Sequence, residues 1–179
     1  MSMSALLLAT RDHLKKSVAS GGLALTYKEC DITLTGMPHP RAGKRFVAIH
    51  RGAVQNTQDD SEYETYDINV TISFRINEPL DRVGDMMELQ DGPAFSVFVD
   101  SVRACLVNYR DTIRTDANTI ITASYNGFTE PFRFRSTDGD VQARNGSWWQ
   151  ADPGHEFAGV SLGLRFGGAM RVQILGSVT

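Results

Sequence analysis

Long apolar runs, clustered cysteines and a surplus of basic charge are all missing from this 179-residue chain, and each absence closes off a class of protein. No stretch approaches the roughly 20 apolar residues that a membrane-spanning helix needs. The short apolar run at residues 5–9 has its positive charges, Arg11, Lys15 and Lys16, behind it, whereas a secretory leader carries them in front. The only cysteines, Cys30 and Cys105, lie far apart in dissimilar surroundings, so no disulfide framework is expected. Both read as small buried side chains in a reducing cytoplasmic compartment, and the sequons at Asn69 and Asn145 then carry no glycan. Lys and Arg number 18 against 21 Asp and Glu, a net charge of −3. That balance argues against a nucleic-acid binder, which needs a basic face. Neither a membrane nor a specific nucleic acid is therefore expected as a partner.

Chemistry-bearing spacings are equally scarce. The four histidines, His13, His39, His50 and His155, fall at no metal-ligand spacing, and there is neither a Cys-x-x-Cys pair nor a Gly-Lys-Ser/Thr phosphate loop. No metal or cofactor is expected. Gly159-Val160-Ser161-Leu162-Gly163 has the form of a nucleophile elbow, but no His, Asp or Glu follows Ser161, and its flanks alternate as a strand. Asp138-Gly139-Asp140 opens like a calcium loop, yet Gln142 and Ala143 stand where further ligands belong. Asp85, Glu88, Asp91 and Asp100 read as solvated helix faces rather than a catalytic pair. No catalytic centre is recognisable.

What the chain does have is alternation. Tyr66, Ile68, Val70, Ile72, Phe74 and Ile76 alternate with Asp67, Asn69, Thr71, Ser73 and Arg75, predicting a long antiparallel strand with one buried face. Shorter runs over residues 28–35 and 46–54 predict two earlier strands. Phe132 and Phe134 alternate with Arg133 and Arg135, a strand whose rings belong in the core rather than stacked on bases. Val160, Leu162, Leu164 and Phe166 form another strand, with Gly167-Gly168 expected as a bulge or turn before Met170, Val172 and Ile174 resume the period. The β-branched run over residues 118–125 also reads as strand.

Helices are expected over residues 4–20, capped by Ser4, over residues 80–89, and after Gly92-Pro93. In the last of these, Phe95, Phe98, Val99, Val102, Cys105, Leu106 and Tyr109 share a face. The order predicts a single α+β domain over residues 1–179, a largely antiparallel twisted sheet with its helices on one face. Two segments stand out as partner contacts. One is the polar run 55–64, holding Gln55, Asn56, Gln58, Asp59, Asp60, Glu62 and Glu64, expected as an exposed loop or arm. The other is Trp148-Trp149, which in an extended chain cannot both face inward.

This organisation resembles the tail-terminator and tail-completion (neck) proteins of tailed bacteriophages. The likeness is carried by the N-terminal helix, the strand at 46–54, the acidic run 55–64, the long strand 66–76 and Pro79-Leu80-Asp81-Arg82-Val83-Gly84-Asp85 leading into the helix beyond Gly92-Pro93. It covers roughly the first 110 residues by order of elements. It implies a virion structural subunit, assembled in the host cytoplasm as a ring, commonly a hexamer, that contacts the tail tube and head–tail connector proteins. A tail-tube, baseplate or other connector subunit is the alternative, and a small enzyme with a site assembled by the fold is the third.

Overall fold

The computed structural model describes residues 2–19, 30–34, 45–56, 63–75, 92–128, 130, 132–135, 148–150 and 157–170. Helix α1 (Ser2–Ala19) starts ahead of its expected cap. Ser4 lies exposed inside the first turn, while Met3, Leu6, Leu7, Thr10, His13 and Leu14, spaced three and four apart, are buried. The other helices among the described residues are α2 (Gly92–Asn108) and α3 (Arg110–Ser124). Strands β1 (Cys30–Thr33), β2 (Arg45–Asn56), β3 (Tyr63–Arg75), β4 (Phe132–Phe134), β5 (Trp148–Gln150) and β6 (Phe157–Met170) form one six-stranded sheet.

The strand order is β1-β2-β3-β6-β4, and β5 also pairs with β6. Every pairing is antiparallel except β1 with β2, so the sheet is mixed and largely antiparallel. Alternation decides its faces. Ile72 is opposite Val47 and Val160, Val70 opposite Ile49 and Leu162, and Tyr66 opposite Phe166. All eight are buried, and they join residues of the three described helices in one core, which establishes an α+β fold with its helices on that face. The opposite face carries Asp67, Asn69, Thr71, Ser161 and Arg165, each half-buried.

Three expectations are corrected. Residues 118–125 belong to a helix and its C-terminal cap, not to a strand: Ile113, Ala117 and Ile121, four apart, are buried on one stripe, and that burial outweighs the weak β preference of Thr119, Ile120 and Thr122. The hydroxyls of Thr115, Thr119 and Ser124 donate back to the carbonyls of Asp111, Thr115 and Ile120, so these polar residues do not compete with the helix for its N–H groups. Tyr109, expected inside, is 51% exposed because it falls between α2 and α3, with its ring 4.9 Å from that of His13.

Gly167-Gly168 makes neither bulge nor turn. Strand β6 runs through both in unbroken register with Thr65 and Glu64. Glycine is needed because a Cβ at Gly168 would fall on the Phe132 ring. The expected helix at 80–89, the ends of the first strand at 28–29 and 35, the last residue of the long strand, Ile76, and the turns at 36–40 and 137–140 lie outside the described residues.

Candidate functional site

The two segments expected to meet partners are placed at opposite ends of the sheet. Gln55 and Asn56 are not loop: they extend β2, where they pair with Thr65 and Glu64. Polar side chains did not prevent this, because the hydrogen-bond ladder of a hairpin uses the backbone alone. Glu64 is likewise strand, and its carboxylate accepts a 2.5 Å hydrogen bond from the Tyr66 hydroxyl. Burial and that carboxylate raise the Tyr66 pKa to about 12. Gln58, Asp59, Asp60 and Glu62 lie outside the described residues, in the connection that this hairpin closes. Trp148 and Trp149 form β5 with Gln150, opposite Val160 and Gly159. Glu64 is opposite Gly168, nine residues further along β6, so the hairpin end and the tryptophan pair are about 30 Å apart.

At the hairpin end the sheet is finished by aromatic packing. Phe132 and Phe134 meet edge-to-face at 5.0 Å, and Tyr66 lies 5.1 and 5.4 Å from them. Both phenylalanines are buried and so unavailable for base stacking, while Arg133 and Arg135 face outward as the alternation predicts.

The two flanks of the sheet are unlike. On the β4 flank, the Asn118 side chain lies against the Phe134 backbone: its amide nitrogen donates to the Phe134 carbonyl and its oxygen accepts from the Phe134 N–H, both at 2.9 Å. Asn118 thus supplies the two bonds a neighbouring strand would make, and closes that edge. Beside it lies a groove of about 560 Å³ lined by Arg114, Thr119, Thr122 and Arg133 among others. On the other flank, β1 pairs only with residues 45–48 of β2. Among the described residues nothing pairs with the outer flank of residues 49–56, where Arg51 and Ala53 are exposed and Val54 is 52% exposed. A register shift between Arg51 and Val54 marks a bulge on this strand. There Gly52 is required, since a Cβ would come 2.8 Å from the Asp67 carbonyl oxygen.

The second face of the sheet holds its polar network. Arg165 grips Asp67 with two bonds, Nε to Oδ1 at 2.7 Å and Nη2 to Oδ2 at 3.0 Å. His50 Nε2 lies 3.0 Å from the Thr71 hydroxyl, which is 3.4 Å from that of Ser161. Ser161 therefore sits in mid-strand rather than on an elbow. Burial lowers the His50 pKa. In the helical layer, the Cys105 thiol is buried, donates to the Ser17 hydroxyl at 3.2 Å and has its pKa raised by burial.

Sequence reasoning misses Asn118, because the β-branched residues that follow it favour a strand. The four-residue spacing of Ile113, Ala117 and Ile121 is the signal that would have found the helix and the face opposite it. No helix among the described residues is long and apolar enough to cross a membrane. No protein-family model matches the chain, and no curated sequence matches it.

Proposed function

We propose that this chain is a structural subunit of a phage neck or tail, forming a ring that completes the tail and joins it to the head. The observation that carries the reading is the pair of unlike sheet flanks, one where Asn118 takes up the Phe134 backbone groups and the other, residues 49–56 of β2, unpaired among the described residues. Contacts between unlike surfaces join copies head to tail, and when the rotation closes they make a ring. The order of elements, from the N-terminal helix to the long hairpin and the helix after Gly92-Pro93, supports the same assignment through its resemblance to tail-terminator and tail-completion proteins.

In this reading six copies form the ring, and the acidic connection with Asp59, Asp60 and Glu62 meets the tail tube or the head–tail connector. The site of action is the virion neck, reached from the host cytoplasm during assembly. The test is the mass in solution by light scattering over a concentration series, with and without tail tubes. A closed oligomer, or a monomer that closes into one on tail tubes, is the expected result. Open-ended polymers would favour a tube subunit, and a monomer indifferent to tail tubes would overturn the assignment. Asp59→Asn, Asp60→Asn and Glu62→Gln together should leave the fold intact and abolish docking.

A further inference from the structure

We propose that the groove between α3 and β4 binds a sugar phosphate, with the phosphate held by Arg114 and Arg133 and the sugar hydroxyls by the threonines of α3. The inference stands apart from the ring reading, which needs no ligand. The groove's volume, about 560 Å³, is that of a small-molecule site. Arg114, Thr115, Asn118, Thr119 and Thr122 fall at i, i+1, i+4, i+5 and i+8, which is one face of α3, and Arg133 lines the groove from β4. Thr115, Thr119, Thr122 and Arg133 are all exposed, so the groove opens to solvent.

Charge selects an anion. The chain as a whole carries −3, yet two arginines and, among the described residues, no carboxylate line this groove. The acidic side chains of α3 have other partners. Asp116 acts electrostatically on His13 of α1, and Asp111 bonds Nη1 of Arg114 at 3.0 Å from the preceding turn. Asp111 is 66% exposed, so that pair is weak. A guanidinium has five N–H donors, so Asp111 orients Arg114 without exhausting it. Two such groups suit a phosphate, whose oxygens accept paired N–H bonds.

The hydroxyls select what carries the anion. Thr115 and Thr119 spend their O–H donors on the carbonyls of Asp111 and Thr115, at 2.8 and 3.0 Å. What they offer a ligand is therefore oxygen lone pairs, which call for donors beside the anion. A sugar phosphate brings both, its phosphate for the arginines and its hydroxyls for the threonine oxygens. The floor of the groove is fixed in advance. Asn118 ties α3 to the Phe134 backbone by two 2.9 Å bonds, which sets the spacing of the helix wall and the strand wall before a ligand arrives.

The experiment titrates the full chain by calorimetry with glucose 6-phosphate, with glucose and with inorganic phosphate. Glucose 6-phosphate should bind saturably, at least ten-fold more tightly than inorganic phosphate, and glucose should show no binding. Arg133→Gln changes an exposed side chain and should weaken glucose 6-phosphate at least ten-fold with the melting temperature unchanged. Arg103→Gln, at another exposed arginine on α2, should leave the affinity as it was. Thr119→Val should weaken glucose 6-phosphate several-fold and leave inorganic phosphate unaffected, which separates the hydroxyl contact from the charge. No saturable binding of glucose 6-phosphate, or equal weakening by Arg103→Gln, would overturn the site. Equal affinity for glucose 6-phosphate and inorganic phosphate would overturn the sugar contact. A monomer indifferent to tail tubes that still binds glucose 6-phosphate sinks the ring and leaves the groove, and a closed ring that binds none does the reverse.

Discussion

Removing the Asn118 amide should loosen the β4 flank of the sheet by an amount that can be worked from its two bonds. Asn118→Leu is close to isosteric and removes both the donor to the Phe134 carbonyl and the acceptor of the Phe134 N–H. Each such bond contributes about 0.5–1.5 kcal/mol net, and the groups left behind belong to Phe134, which is buried, so water recovers little of the loss. The expected cost is about 2 kcal/mol, which in a chain of this size lowers the melting temperature by roughly 4–8 °C. Asn118→Asp separates the two bonds. Its carboxylate still accepts from the Phe134 N–H but faces the carbonyl without a donor. Protonation below the ordinary carboxylate range restores that donor, so this variant should gain on the parent as the pH falls. Urea unfolding gives the free energies, and hydrogen exchange at the Phe134 amide reports the edge itself. A cost below about 0.5 kcal/mol for Asn118→Leu, with no faster exchange at Phe134, would refute the idea that one side chain completes the sheet.

Gly168→Ala should be more damaging than its size suggests, because the added methyl meets the Phe132 ring and disturbs its packing with Tyr66 and Phe134; overpacking of this kind costs about 1–3 kcal/mol. Phe132→Leu in the same chain should recover part of that loss, read by denaturant unfolding. His13 should make stability depend on pH. Its pKa lies below the ordinary 6.5 because burial disfavours the charged ring, with Lys16 acting the same way and Asp116 opposing. The unfolded chain therefore binds the proton more readily, and stability present above pH 6.5 is lost as the pH falls below it towards the folded-state value. His13→Leu should flatten that part of the profile below pH 6.5, leaving the contribution of His50, which has the same sign. It should also stabilise the fold, since Nε2 of His13 is buried without a hydrogen-bond partner in the described structure.

Period-two alternation by itself determined the long strands. Tyr66 to Ile72 and Val160 to Phe166 could bury their apolar sides only as extended chain, so the middle of the sheet, its buried face and the α+β class followed from local pattern. The same rule placed Phe132 and Phe134 inside and Arg133 and Arg135 outside. Pattern was silent wherever the deciding neighbour is remote in sequence. Nothing local says that Asn118 meets Phe134, that Phe132 lies over Gly168, or that Asp67 is held by Arg165 from 98 residues away. Polarity suggested a loop at Gln55, Asn56 and Glu64, but backbone pairing with β3 and β6 made them strand. β-Branched residues suggested a strand after Asn118, but the core needed Ile113, Ala117 and Ile121 on one helical stripe. Local pattern sets which side of a segment is apolar; only the tertiary structure decides what that side is buried against.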